Sequence, residues 1–206
     1  HLFPNDFASS SIITRGAGWY SFRMPWEFYD KFDPSDERRK TILTSYTTAN
    51  GATAVRDNGL DGPIPLKYTG ISGPGPEYAA DWVIYRYADV LLSLAEIINE
   101  RNGGPTNEAY DLVGEVRERA GLGNFTAGMD QTQFRDALLD ERGRELFSEG
   151  VRRQDLIRHG KFIEYAQDRG EDAQPHHVRF PIPNAAILEG GGVDGIVAQN
   201  PGYEGN

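Results

Sequence analysis

Glu141, Glu145 and Glu149 recur at a spacing of four, which sets three carboxylates along one side of a helix. A pair of carboxylates flanking a sugar can serve as general acid and as base or nucleophile, so glycoside hydrolysis is the first chemistry to weigh. The neighbours argue against it. Arg142, Arg144, Arg152, Arg153 and Asp155 crowd the same stretch. An arginine within three or four residues of each carboxylate lowers its pKa, whereas a general acid needs it raised. Together these residues read as an ion-pair network that staples two helices and fixes register.

The other reactive side chains form no recognisable catalytic or metal pattern. His176 and His177 are adjacent and read as a polar loop, with His159 far off as a helix-end residue. There is no HExxH metal pair and no Gly-x-Ser-x-Gly elbow. Asp30, Asp33, Asp36 and Glu37 lack the calcium-loop spacing and its glycine, and are read as helix stops and caps. The chain has no cysteine, which excludes disulfides, thiolate catalysis and cysteine zinc sites within it. No catalytic residue, metal or cofactor is expected.

Aromatic residues carry a different chemistry. Trp19, Tyr20, Phe22, Trp26, Phe28 and Tyr29 fall within eleven residues, and Tyr46, Tyr78 and Trp82 follow. Sugars stack their C–H faces on such rings while polar groups fix the hydroxyls, an apolar wall with a few placed polar groups. Phe28, Tyr29 and Phe32 sit at helical spacing and are assigned to the core. Trp19 and Tyr20 follow Gly16-Ala17-Gly18 in a loop and are assigned to ligand stacking. Trp19, Tyr20, Arg23, Trp26, Tyr46, Tyr78 and Trp82 form the candidate binding set, Arg23 supplying hydrogen bonds.

The elements that must position these groups divide the chain. Residues 1–82 are loop-rich, with a short helix from Pro25 to Phe32. Asn50 to Pro76 holds Asn-Gly, Asp-Gly and Gly-Pro signals and reads as irregular backbone, with short strands near Ile64–Tyr68 and Trp82–Tyr85. From Arg86 to Lys161 the pattern is helical. Tyr87, Val90, Leu91, Leu94, Ala95 and Ile98 form the apolar face of one helix. Ala109, Leu112, Val113, Val116 and Ala120 form that of a second, with Gly121 as its C-cap. The short turn between them predicts antiparallel packing, the unit of TPR-like arrays. Asp130 and Gln133 form a capping box for a third helix. A fourth spans about Arg152 to Asp168, with a break at Gly160. The tail from Val178 is Pro/Gly-rich and reads as extended.

Composition sets the outer limits. The chain has 206 residues and a net charge of −10, which argues against nucleic acid, since no basic stripe is present to meet phosphates. It favours neutral ligands or a basic partner. No apolar run approaches the roughly 18–20 residues that span a bilayer. The opening HLFPNDF has no Met, no basic region and no apolar region, so the chain is read as a piece of a longer protein.

The runs YRYADVLLSLAEIINERNG, AYDLVGEVRERAGL, LLDERGRELFSEGVRRQDLIRHGKF and FPIP…QNPGY resemble, in order and spacing, the C-terminal region of SusD/RagB-type proteins. Upstream, FYDKFDPSDERR and GPIPLKYTG look like the preceding family segments. Gly143 and His159 depart from the family, which commonly has Arg and often Trp there, and Gly190-Gly191-Gly192 is an insert.

The resemblance implies a mainly α fold, TPR-like helix pairs carrying a large irregular loop-rich region, and few short strands. Residues 1–206 would be the C-terminal region: a loop-rich part (1–82), a helical block (83–170) and an extended tail (171–206), with the N-terminal half absent. It further implies a non-catalytic, surface-exposed outer-membrane lipoprotein of Bacteroidetes-type bacteria. Such a protein captures oligosaccharides, or in some members peptides, and partners a SusC-type TonB-dependent transporter. The lipid anchor would lie in the missing N-terminal part. The rival readings are a peptide-binding member, a glycoside hydrolase and a TPR-like adaptor for protein alone.

Overall fold

Ser45–Thr48 and Thr53–Arg56 are rich in β-branched residues and flank Asn50-Gly51, a pattern that favours a hairpin. In a computed structural model, which describes residues 4–10, 22–68, 83–192 and 196–203, they form β3 and β4 of an antiparallel pair. Gly51 at φ 84° makes the reversal, a conformation that costs glycine no steric penalty. β1 (Phe7–Ser9) pairs antiparallel with the other edge of β3, and β5 (Gly59–Leu60) pairs parallel with β4. Register places Tyr46 opposite Ala54. Both point into a cluster with Phe7, Leu43, Leu60, Ile64 and Leu66. A separate two-stranded ladder pairs β2 (Ile42–Leu43) antiparallel with β6 (Ile64–Pro65).

The stretch expected to be irregular thus holds strands at Thr53–Arg56 and Gly59–Leu60. Each is too short for its alternation to stand out beside the turn residues. The strand near Ile64 is present. Of the one expected at Trp82–Tyr85, Trp82 lies outside the described residues, and Val83 to Tyr85 form no strand.

α1 is shorter than expected, Trp26–Tyr29, with Pro25 immediately before it. Phe32, beyond its end, packs with Met24, Ile42 and Phe147, and Phe28 and Tyr29 pack against them, in agreement with the core assignment. A 3₁₀ turn follows at Glu37–Thr41, capped by the Asp36 carboxylate, which accepts from the Arg38 amide at 2.9 Å.

The helical core is built from α2 (Tyr87–Asn102), α3 (Asn107–Arg119) and α4 (Gln131–Glu145). Gly103 at φ 70° ends α2, and the Thr106 hydroxyl caps α3. The capping box at α4 is complete: Asp130 accepts from the Gln133 amide, and Gln133 accepts from the Asp130 amide. Leu91, Leu92, Ala95, Ala109, Val113, Val116, Phe134 and Leu138 interlock between the three helices. Tyr110 and Phe125 meet the Phe134 ring edge-on at 5.3 and 5.7 Å.

On α2 the buried face differs from the expected stripe. Leu91, Leu92, Ala95 and Asn99 are buried, whereas Tyr87, Val90, Leu94 and Ile97 are exposed. The helix therefore carries two apolar faces, which a single-stripe reading merges into one.

These elements belong to a unit spanning His1–Gly150; a second unit spans Val151–Asn206. In the latter, α5 (Arg152–Arg158) and α6 (Phe162–Gln167) are separated at Gly160, φ 68°, where the break was expected. Arg153 lies over the Phe162 and Phe180 rings at 5.0 and 4.1 Å and donates to the His177 and Val178 carbonyls. His176 and His177 form part of a 3₁₀ turn, Pro175–Val178, and the Tyr203 ring meets His176 edge-on at 4.6 Å. The tail is not wholly extended, because Asn184–Glu189 forms α7 after Pro183.

Candidate functional site

The charged residues of α4 are central to the first unit. Glu141 is fully buried. Its Oε1 accepts from Arg38 at 2.8 Å, and its Oε2 accepts from Arg117 and Arg144, each at 2.8 Å. Glu145, one turn on, accepts from Arg38 at 3.2 Å, Arg86 at 2.8 Å and Arg119 at 2.6 Å. Glu149, beyond the helix end, accepts from Arg86 at 2.9 Å and from Lys67. Asp36 accepts from Arg38 at 2.8 Å.

These pairs join ten residues, among the described ones, into a single network: Asp36, Arg38, Lys67, Arg86, Arg117, Arg119, Glu141, Arg144, Glu145 and Glu149.

Its electrostatics suit permanent ionisation. Burial pushes the Glu141 pKa up, but Arg38 and Arg144 outweigh it, so the carboxyl lies below its ordinary value. Burial likewise opposes charge on Glu149, and Arg86 and Lys67 reverse the balance. Arg38 and Arg86 move the other way: burial disfavours their charge, the carboxylates more than restore it, and both pKa values rise. Carboxylates held this way are poor general acids.

The network spans more than the two helices expected. It ties the turn at Asp36–Arg38, Lys67, Arg86 and the end of α3 to α4. Of the expected members, Glu141, Arg144, Glu145 and Glu149 belong to it. Arg142 is separate, pairing with Asp89 at 2.9 Å and donating to the Ser93 hydroxyl. Arg152, Arg153 and Asp155 lie in the second unit, where Asp155 pairs with Arg158 at 3.0 Å and Arg152 lies over the Tyr165 ring at 5.6 Å. Sequence reasoning missed Asp36, Arg38, Lys67, Arg86, Arg117 and Arg119. The adjacent charges in Ser35-Asp36-Glu37-Arg38-Arg39 and Arg117-Glu118-Arg119 were the available signal, but spacing along the chain cannot pair residues about a hundred positions apart.

A cavity of about 240 Å³ opens beside the network, lined by Arg38, Thr41, Lys67, Arg86, Arg119 and Glu145 together with Glu37, Ala120 and Phe147. Lys67 also lies over the Phe147 ring at 4.9 Å. Burial lowers the Lys67 pKa, with Glu149 opposing the shift.

The aromatic candidates divide. Trp19, Tyr20, Tyr78 and Trp82 lie outside the described residues. Tyr46 is 3% exposed, its ring 5.5 Å from Phe7 and its hydroxyl donating to Asp6 at 2.9 Å. That ring is a sheet-core residue with its face covered. Trp26 is half-buried against the same cluster, and its indole N–H donates to the Leu60 carbonyl at 3.2 Å. The Arg56 guanidinium lies 4.9 Å from the Trp26 ring centre and is itself paired with Asp30. Arg23 is half-buried and donates to the Phe22 carbonyl at 2.7 Å. The structure thus brings Trp26 and Tyr46 onto one cluster.

A family model described as the SusD family matches residues 62–203. "SusD-like protein P25" of Formosa agariphila is 36% identical over 183 residues, covering 79% of this chain and 33% of that protein. The "Starch-binding protein SusD" of Bacteroides thetaiotaomicron is 32% identical over 132 residues, 60% of this chain and 22% of that protein. Among solved structures, a "Laminarin binding SusD-like protein" superposes with a TM-score of 0.67 at 30% identity, covering 91% of this chain and 40% of the other. The chain therefore spans less than half the length of the proteins it resembles.

Proposed function

The chain belongs to the SusD family, and we propose that it serves non-catalytic capture of oligosaccharides at the bacterial cell surface, for import through a SusC-type TonB-dependent transporter. The observation that carries this reading is the family match together with relatives whose names record starch and laminarin binding. The buried, arginine-held state of Glu141 supports a binding role over hydrolysis. The chain acts as the C-terminal region of an outer-membrane protein that is lipid-anchored through an N-terminal part.

That N-terminal part is also a packing partner. Ile84, Tyr85, Tyr87, Val90, Leu94 and Ile97 are exposed apolar residues leading into and along α2. A contiguous apolar surface of this kind marks an interaction site, and the shares of 33% and 22% of its relatives leave ample chain in proteins of this type to cover it.

Within the chain, Trp19 and Tyr20 stack on the sugar, joined by Tyr78 and Trp82, with Arg23 donating hydrogen bonds. Trp26 contributes its half-exposed edge, backed by the buried cluster to which Tyr46 belongs. The net charge of −10 keeps a second ligand class open, basic peptides drawn by long-range attraction. Affinity electrophoresis and calorimetry against a polysaccharide panel test the reading. Retardation by at least one polysaccharide that Trp19→Ala weakens is expected. Unchanged binding in Trp19→Ala removes the site assignment, and binding only to basic peptides replaces the ligand class.

A further inference from the structure

The ion-pair network does not balance. It contains six cations (Arg38, Lys67, Arg86, Arg117, Arg119, Arg144) and four carboxylates (Asp36, Glu141, Glu145, Glu149), an excess of two positive charges. This occurs in a chain whose net charge is −10. Glu37, which also lines the cavity, pairs with Lys40 and leaves the balance unchanged. The buried members, Asp36, Arg38, Glu141, Arg144 and Glu145, hold no positive excess among themselves; the excess falls on the less buried cations at the edge of the network, Lys67, Arg86, Arg117 and Arg119.

The excess faces an opening. Four of the six cations line the cavity: Arg38, Lys67, Arg86 and Arg119. Arg119 is 58% exposed and gives one of its donors to Glu145, so its remaining N–H groups are directed to solvent or to a ligand. A guanidinium presents five donors in a planar fork that matches a carboxylate or sulfate. Thr41 also lines the wall, its hydroxyl committed as donor to the Arg38 carbonyl at 2.8 Å, and Phe147 and Ala120 supply apolar surface. The volume of about 240 Å³ lies below the roughly 300–1,000 Å³ of drug-sized sites. It suits one anionic substituent and part of one ring rather than an oligosaccharide.

We propose that this cavity is an oxyanion subsite, taking the carboxylate of a uronic acid or the sulfate ester of a sulfated sugar, with Arg119 as the exposed donor beside it. The choice of sugar rests on the capture reading above; the oxyanion chemistry does not. A bound anion offsets the excess charge and favours the protonated form of Lys67, whose ammonium is disfavoured by burial.

The test is calorimetric titration of the full-length protein that contains this chain with four probes: sodium sulfate, an oligogalacturonate, a sulfated oligosaccharide and a neutral glucan oligosaccharide. Each is repeated with Arg119→Ala, Arg119→Lys and Arg119→Glu. Binding of an acidic oligosaccharide is expected to weaken roughly ten- to a hundredfold in Arg119→Ala, the usual scale for one charged hydrogen bond, to recover in part in Arg119→Lys, and to vanish in Arg119→Glu. Acidic-sugar binding that is equal in all three variants overturns the subsite. Binding of the neutral glucan alone overturns it too, while leaving glycan capture intact. Sulfate binding that depends on Arg119, with no oligosaccharide bound, overturns the sugar assignment and counts against capture. Circular dichroism of each variant establishes that folding is unchanged, as expected for a side chain this exposed.

Discussion

Replacing Glu141 by glutamine is the sharpest perturbation of the scaffold. The carboxylate is fully buried and accepts from Arg38, Arg117 and Arg144, each at 2.8 Å. Glutamine keeps the shape, retains one acceptor oxygen and removes the charge. Arg38 keeps Asp36 and Glu145, but Arg117 and Arg144 lose their carboxylate partner within the network. The excess of positive charge in the network rises from two to three. Breaking a buried pair by removing one partner costs about 3–5 kcal/mol, a large share of the roughly 5–15 kcal/mol that holds a domain folded. At about 2–4 °C per kcal/mol for a chain of this size, the melting temperature should fall by about 6–20 °C. Asp140→Asn, the adjacent residue of the same helix, is the control. Its pair with Lys31 is partly exposed, so it should cost no more than about 1 kcal/mol. Differential scanning calorimetry of both variants at neutral pH makes the comparison. A drop for Glu141→Gln no larger than that for Asp140→Asn would refute the view that this network holds the loop-rich part to the helices.

The same carboxylates set the response to acid. Because Glu141 and Glu149 have lowered pKa values when folded, their contribution should be complete above the unfolded glutamate value of about 4.3 and be lost as pH falls through the folded values. Lys67 acts at the alkaline end: its lowered pKa adds stability only as pH rises toward the unfolded lysine value of about 10.4. Denaturant melts across pH report both. Gly62→Ala should destabilise by about 1–3 kcal/mol through overpacking, because a Cβ there would collide with the Met24 carbonyl oxygen; a chemical melt within error of the parent would contradict that packing. Asp130→Ala should cost about 1 kcal/mol by removing the α4 cap. Val90→Gln with Ile97→Gln should leave the melt of this chain within about 0.5 kcal/mol while reducing its binding of a hydrophobic dye; a large loss would mean that the face is already packed.

The helices were legible in the sequence because their signals are local. The capping box at Asp130 and Gln133 and the break at Gly160 each act within one turn of chain. The strands were less so. Thr53–Arg56 and Gly59–Leu60 gain their partners through register rather than length, and the turn signals around Asn50 and Asp57 masked them. Tyr46 shows a further limit. Its residue type suits a sugar-stacking wall as well as a sheet core, and only the pairing that sets it opposite Ala54 beside Phe7 decides between the two. The network is the fullest case. Glu141, Glu145 and Glu149 were visible as a group, but two of their six cationic partners, Arg38 and Lys67, come from the loop-rich part, brought near by tertiary folding that no spacing rule encodes.

The capture of carbohydrate without its breakdown is tested most directly by migration of the purified chain through native gels cast with neutral, uronate-rich and sulfated polysaccharides, with the length of each polysaccharide measured afterwards. Retardation in at least one gel, with that polysaccharide unshortened, is the expected result. Free migration in every gel, or a retarding polysaccharide cut to shorter products, would contradict it.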